Sequence, residues 1–264
     1  MSNQQTVANP ILAVNPSVNV SSRYKFVSTQ DIINELGNYG YTPKSTSVAR
    51  VRKLEKQGFQ KHVIRFQGES VTSNKLGVTP EVVLRASHCG DSAFEMFYGV
   101  YRVFCANGIV AGSEFSSLRF IHTGKGMENM SERMGTWLND LPRLMDTINN
   151  WSTILPTKER VALFNDAATG LALNTDPEVK RTLWTNGPYR DGMLRIRRNA
   201  DTSPDAWTLF NRAQEALAHG NVPYTYTNSK GEVATRFTRA IKSPTRLLSV
   251  NRELWDLAND ILVA

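Results

Sequence analysis

Positively charged side chains are concentrated in the first quarter of the chain. Residues 44–65 contain seven Lys or Arg and one acid. Apolar and basic residues alternate through residues 48–54, and this period of two predicts a β-strand. Because a strand sends alternate side chains to one face, we expect Arg50, Arg52 and Arg65 to form a row on a sheet face. Such a row would neutralise successive phosphates of a nucleic acid, although a solvated strand face would show the same pattern.

Aromatic residues accompany this first basic cluster. Tyr41, Phe59 and Phe66 lie near enough in sequence to offer stacking surfaces to unpaired bases. The alternative is that all three belong to the hydrophobic core. The sequence therefore leaves open whether these rings contact a ligand or one another.

A second basic cluster lies in the second half of the chain and consists of Arg190, Arg195, Arg197 and Arg198. It would extend a binding groove, clamp a duplex or pair with acids of a neighbouring subunit, and a solvated loop is the preferred alternative. The full set of expected nucleic-acid contacts is Arg50, Arg52, Lys53, Lys56, Lys61, Arg65, Arg102, Lys125, Arg195, Arg197 and Arg198.

Few residues offer catalytic or metal-binding chemistry. Cys105 would be a nucleophile with His88 or His122 as its base, but no oxyanion element or orienting acid is visible. His88 and Cys89 are adjacent, and on a strand they would point to opposite faces, so zinc-ligand spacing is absent. We expect no catalytic residue, no metal and no cofactor, and the roles of these four residues stay open. An enzyme would need titratable groups that converge around His62, His88 or His122.

Asn107 and Gly108 give the strongest hairpin signal of the chain, because this dipeptide favours the positive φ angles of a type I′ turn. Arg102 would anchor that turn or a carboxylate such as Asp91. Cys105, three residues further on, has a structural interpretation as a small buried apolar side chain.

The elements around these residues change character along the chain. Short strand-like runs joined by turns occupy residues 45–122 and predict an antiparallel β-meander. Helical periodicity follows from residue 127, and Pro142 should kink or split the first of these helices. Thr29 is expected to cap an earlier short helix. The predicted fold class is therefore α+β, with a meander in the first half packed with a helical second half.

The predicted domain organisation is a flexible N-terminal arm followed by one domain. Residues 1–22 are rich in Asn, Ser and Gln with two prolines, which is typical of a mobile arm. Residues 23–264 form a single α+β domain, with a sheet-rich core over 23–126 and a mainly helical part over 127–264.

Bulk composition limits the class of protein. The chain has 264 residues, 41% of them hydrophobic, which is enough for a substantial core. Two cysteines indicate no disulfide framework, and no apolar run approaches a membrane span. We therefore expect a cytoplasmic protein with no membrane partner. The net charge of +7 favours polyanionic partners, although a charge that serves solubility alone is equally compatible.

Several motifs taken together resemble a known family, the phage/plasmid-like domain-of-unknown-function family numbered nine-three-two. The matching segments, in order, are Arg23-Tyr24, Phe26–Thr29, Gly40-Tyr41, Lys61–Phe66, Pro80–Leu84, Ser87-His88, Gly90, Tyr101–Val110, His122–Gly124, Thr238–Ile241 and Asn251–Trp255. The resemblance implies a host-cell protein encoded by a phage, prophage or plasmid, with a role in replication, recombination or defence evasion. One departure is Cys89, where relatives usually carry Asp, and this weakens any catalytic role for that position.

The order of elements is also similar to that of strand-annealing proteins of the Rad-fifty-two type. That resemblance is architectural, and it implies single-stranded DNA bound in a basic groove of a homo-oligomer. We therefore expect a protein that binds single-stranded nucleic acid, favouring DNA, and that acts in single-strand annealing and recombination. The competing hypothesis is a protein-interaction module that inhibits or recruits a host defence or recombination factor, and its mark would be a contiguous exposed apolar patch.

Overall fold

The fold was analysed in a computed structural model that describes residues 9–68, 78–102, 105–110, 117–173, 192–227 and 231–264. Contacts between Cα atoms divide the chain into two compact units. The first unit contains residues 1–110 and 115–144, and the second contains residues 111–114 and 145–264. A sheet dominates the first half and helices dominate the second, so the predicted α+β class is confirmed.

The first unit is built on a six-stranded sheet in which all described strand pairs are antiparallel. Its strands are β1 (Tyr41–Val48), β2 (His62–Gly68), β3 (Val78–Ala86), β4 (Phe94–Arg102), β5 (Cys105–Val110) and β6 (Leu118–Phe120). They lie in the order β1-β2-β3-β4-β5, and β6 pairs with β4. From β1 to β5, strands that are neighbours in sequence are also neighbours in the sheet, which confirms the predicted meander.

Alternate residues of the central strands build the core of the first unit. The buried residues of this face are His62, Ile64, Phe66, Val82, Leu84, Ala86, Phe94, Met96 and Tyr98. Two helices cover it, α1 (Thr29–Asn38) and α2 (Met130–Leu138). Trp137 of α2 stacks on Tyr98 with ring centroids 4.1 Å apart. Ser28 caps α1 by accepting the Asp31 N–H at 3.0 Å, so the prediction of Thr29 as the cap is wrong by one residue.

The second unit has a helical core of large aromatic side chains. The remaining α-helices among the described residues are α3 (Leu141–Trp151), α4 (Lys158–Leu173), α5 (Ala206–His219) and α6 (Pro244–Ala258). Trp255 lies 4.5 Å from Trp151 and 5.4 Å from Phe210 between ring centroids. Two further strands, β7 (Gly220–Thr227) and β8 (Val233–Arg239), form an antiparallel hairpin in this unit.

Two local predictions are wrong. Residues 49–53 are not a strand, because β1 ends at Val48 and the chain then leaves the sheet. Asn107 and Gly108 lie inside β5, and Arg102 pairs with Cys105. That pairing leaves Asn107 and Gly108 within a paired strand and not at a turn. Sheet pairing has overridden a local turn preference here.

Within the part of the chain that the structure describes, every helix is too short or too polar to cross a membrane.

Candidate functional site

The first basic cluster forms a loop between β1 and β2, which we call the basic loop (residues 49–61). Its base is closed by the Ala49 N–H, which donates to the Lys61 carbonyl at 2.8 Å. A short helical turn, Leu54–Lys56, lies near its middle. The loop carries five cations and one acid. It is therefore a compact, backbone-bonded segment with a strong excess of positive charge.

Neighbouring segments hold the basic loop in place. The His88 N–H donates to the Phe59 carbonyl at 2.9 Å, and the Ser17 N–H donates to the His88 carbonyl at 2.9 Å. The Ser17 hydroxyl also donates to the carbonyl of Glu55 at 3.4 Å. These hydrogen bonds hold the backbone of the loop in one position, so the starting points of its side chains are fixed.

The cations of the basic loop differ in how far nearby carboxylates neutralise them. Lys56 forms an ion pair with Asp91 at 2.8 Å, and this contact raises the pKa of Lys56. Lys53 lies 3.8 Å from Glu55, with both side chains exposed. The pKa of the Asp91 carboxyl is lowered, chiefly by its hydrogen bond with Lys56 and to a smaller extent by the charge of Lys61. Arg50 and Arg52 are exposed, and neither forms an ion pair with any described residue.

The predicted row of Arg50, Arg52 and Arg65 on one sheet face is wrong. Only Arg65 lies on a strand, and its guanidinium donates to both carboxylate oxygens of Glu81, at 2.7 and 2.8 Å. Glu81 has no solvent exposure. Burial raises the pKa of Glu81, and the Arg65 contacts oppose that rise. The charge of Arg65 is therefore committed to a buried carboxylate inside the sheet.

The other predicted contacts in the first unit are Lys125 and Arg102. Lys125 lines an open cleft with the carboxylates of Glu128, Glu132 and Asp140. The side chain of Arg102 is outside the described part of the structure.

The second basic cluster is partly neutralised within its own unit. Arg198 pairs with Glu215 at 2.9 Å. Burial lowers the pKa of Arg197, whose guanidinium donates to the Arg195 carbonyl at 3.5 Å. Arg195 itself is exposed.

The predicted stacking residues face the core rather than solvent. Phe66 is fully buried and Tyr41 is 7% exposed. Phe59 is half-buried at the end of the basic loop. Of the three rings, only Phe59 has appreciable surface that a base could reach.

Behind the basic loop lies a group of buried imidazoles, which we call the histidine cluster (His62, His88 and His122). The rings of His62 and His88 are 5.4 Å apart between centroids. Phe94 lies beside His88 and His122, at 5.9 and 4.9 Å. Tyr24 stacks on His122 at 4.4 Å. These three histidines are far apart in the sequence, and the fold brings their rings together.

The Thr29 hydroxyl joins two of these rings. Its oxygen lies 2.8 Å from Nε2 of His62 and 2.8 Å from Nε2 of His88. His62 Nδ1 lies 3.0 Å from the Gln60 carbonyl and must donate to it, so Nε2 of neutral His62 accepts the Thr29 proton. His88 Nε2 then donates to Thr29, and its Nδ1 is a buried nitrogen without a hydrogen bond among the described atoms.

Burial keeps the histidine cluster uncharged. The pKa of His88 is lowered to about 3, chiefly by burial and in addition by the charges that His62 and His122 would carry. Burial likewise lowers the pKa of His62 and of His122. At neutral pH the cluster is therefore a hydrogen-bonded, neutral part of the core.

The described residues contain no group of three or more His, Cys, Asp or Glu placed to hold a metal ion. Cys89 is half-exposed, and its thiol lies 3.3 Å from the Asp91 carboxylate and 3.2 Å from the Ser87 hydroxyl. The side chain of Cys105 is outside the described part. The printed contacts of the Cys89 thiol are therefore with a hydroxyl and a carboxylate, and not with a histidine of the described part of the chain.

Comparison with known proteins places the chain in a family. Two proteins of Escherichia coli (strain K12) are similar to it over 92% of its length and 84% of their own: UPF0380 protein YfjQ, at 30% identity, and UPF0380 protein YafZ, at 29%. No solved structure matches the chain, so the resemblance to strand-annealing proteins gains no support from that comparison. The family profile described as "Domain of unknown function (DUF932)" matches residues 18–255, and the chain belongs to this family.

Proposed function

We propose that this protein of mobile elements binds single-stranded nucleic acid through the basic loop, chiefly by contacts to the phosphate backbone. The observation that carries the proposal is the backbone-closed loop of residues 49–61, with five cations, one acid and two arginines without an ion pair among the described residues. Lysine and arginine that neutralise phosphates release condensed counterions, and this release drives binding that does not depend on sequence.

The distribution of charge between the two units supports this placement. The first unit holds 16 of the 31 Lys and Arg but only 10 of the 24 Asp and Glu. Six of the seven net positive charges therefore belong to the unit that carries the basic loop. An excess confined to one unit attracts a polyanion towards that unit.

The fixed backbone of the basic loop also favours binding. Ordering a long side chain or a loop on binding costs about 0.5–1.5 kcal/mol for each immobilised side chain. Contacts from Phe59 and Glu55 to the neighbouring segments remove the backbone part of that cost before a ligand arrives. Arg50 and Arg52 then need only side-chain ordering.

Fluorescence anisotropy of a labelled oligothymidylate over a salt series tests the proposal. For single strands the slope of log K against log salt is about −0.7 per phosphate contact, so Arg50→Gln with Arg52→Gln should make the slope shallower by up to about 1.4. The matched control is Lys158→Gln with Arg160→Gln, which removes the same charge from exposed positions of the second unit. Binding without salt dependence, or equal slopes for both double variants, would overturn the proposal.

The proposal extends to strand annealing by a homo-oligomer. The support for this extension is the resemblance to strand-annealing proteins, since repeated basic loops around a ring would hold two strands close together. Annealing of complementary labelled strands and the mass in sedimentation test it. A monomer that binds one strand and does not accelerate annealing would leave binding alone as the function.

A further inference from the structure

The β7–β8 hairpin of the second unit has one face that the rest of the unit leaves open. Val233, Thr235, Phe237 and Arg239 alternate along β8 and are all exposed. On the opposite face Thr238 is buried, and its hydroxyl accepts the Val222 N–H at 3.1 Å. The hairpin therefore packs by the Thr238 end of one face and presents the other face to solvent.

Two apolar side chains on the open face are unusually accessible. Phe237 is 58% exposed and Val233 is 74% exposed. Pro223 of β7 lies opposite Phe237. An exposed ring on a sheet face has the geometry of a stacking platform, because strand side chains stand roughly perpendicular to the sheet.

One cation, Arg239, ends β8 on the same face, and a second, Lys242, follows three residues later in the chain. Arg239 and Lys242 are exposed, and neither has an ion pair or hydrogen bond to a carboxylate in the described ranges. Glu232 is the acid of the described hairpin, at the far end of β8. The face thus combines an exposed aromatic ring with unneutralised positive charge two residues further along the strand.

The junction with α5 fixes the direction of the hairpin. Gly220 ends α5 and begins β7 with φ +67°, a left-handed angle that favours glycine. A Cβ on this residue would lie 2.5 Å from the backbone of Arg239 and Ala240. The close approach ties the end of β8 to the helix, so the open face has a defined orientation within its unit.

We infer that the open face of the hairpin is a second contact for single-stranded nucleic acid, with a base stacked on Phe237 and phosphates held by Arg239 and Lys242. The inference rests on the proposed function for the class of ligand, but on different residues in a different unit. Alternate residues of a β-strand are about 6.8 Å apart. The ring and the guanidinium therefore contact neighbouring nucleotides of one extended nucleic-acid chain. A protein partner is less favoured, because the two apolar side chains are few and cations adjoin them.

Substitution of Phe237 tests stacking separately from charge. Loss of one base stack weakens binding by about 5- to 150-fold, so Phe237→Ala should reduce affinity for labelled oligothymidylate within that range and leave the salt slope unchanged. Phe237→Tyr keeps a ring and should restore affinity. Thr235→Ala on the same face is the matched control and should bind as the wild type does.

Charge variants and self-association complete the test. Arg239→Gln with Lys242→Gln should make the salt slope shallower by up to about 1.4. If the basic-loop variants weaken binding while the hairpin variants bind as the wild type does, this inference is overturned and the proposed function stands. If no variant and no wild-type protein binds at low salt, both fall. A change of sedimentation mass for Phe237→Ala at unchanged affinity would show a contact between copies and overturn the inference.

Discussion

The hydroxyl of Thr29 offers a sharp test of how the first unit is held together. Thr29→Val keeps the shape and the β-branch of the side chain and removes only the hydroxyl. The two 2.8 Å contacts to Nε2 of His62 and His88 are then lost at a site that water does not reach. One imidazole loses its donor and the other its acceptor, while no cavity of any size is created.

The expected cost follows from the two stranded nitrogens. A buried polar group without its partner costs about 1–3 kcal/mol, and two such groups cost about 2–6 kcal/mol. A change of tautomer would let His88 protonate its other nitrogen and recover part of this loss. We therefore expect Thr29→Val to lower the free energy of unfolding by about 2–4 kcal/mol.

Urea unfolding at neutral pH, followed by far-ultraviolet circular dichroism, measures this change. Thr29→Ser is the control, because it keeps the hydroxyl and removes one methyl group, and it should cost about 1 kcal/mol. A Thr29→Val protein within about 0.5 kcal/mol of the wild type, the scatter of ordinary surface substitutions, would refute the hydrogen-bonded bridge.

Two further predictions concern buried charge. Burial lowers the pKa values of His62, His88 and His122 in the folded protein. Below about pH 6.5 the unfolded chain therefore binds more protons than the folded chain does. The free energy of unfolding is consequently at its full value above that pH and decreases as the pH falls. With a pKa of about 3 in the folded protein, His88 alone should lower the free energy of unfolding by about 2 kcal/mol between pH 6.5 and 5. Urea unfolding curves that coincide at pH 7 and pH 5 would contradict this. Arg65→Met leaves the buried Glu81 carboxylate without its ion-pair partner and should lower the free energy of unfolding by about 3–5 kcal/mol. Adding Glu81→Leu should restore most of that loss. If Arg65→Met instead weakened nucleic-acid binding at unchanged stability, the commitment of Arg65 to Glu81 would be wrong.

The broad architecture was predictable because its signals are local. Alternation of apolar residues and short turn segments indicate the strands of the meander, and neighbouring strands pair because the intervening connections are short. The helices after residue 127 follow from their period, and Pro142 lies at the start of α3, where proline is tolerated. These features depend on few contacts between distant residues.

The predictions that fail depend on pairing across the sheet. Residues 48–54 alternate as a strand does, yet the Ala49 to Lys61 hydrogen bond closes the loop before that segment finds a partner. Asn107-Gly108 has turn chemistry, but the pairing of Tyr101 with Gly108 places it inside β5. Local preference is worth about 1 kcal/mol, which a few pairing contacts outweigh.

The histidine cluster could not be assembled from the sequence. Thr29 lies 33 residues from His62 and 59 from His88, and nothing in the spacing relates them. One feature of the sequence does point to the role of Thr29, namely the adjacent Ser28 and Thr29 at the start of α1. Once Ser28 takes the capping role, Thr29 is left on the first turn with its hydroxyl directed at the core.

The same reasoning explains why a count of cations in the sequence does not tell which of them are available to a polyanion. Arg50 and Arg65 look alike in the sequence, yet the register that sets β2 against β3 brings Glu81 to Arg65 and brings no carboxylate to Arg50. A cation that forms an ion pair with a buried carboxylate stabilises the fold. If that cation turned to bind a phosphate, the buried carboxylate would lose its partner, at a cost of about 3–5 kcal/mol. A phosphate contact cannot repay that cost in water. The cations available to a polyanion are therefore those outside such ion pairs, and among the described residues the basic loop and the open hairpin face are two of the places that carry them.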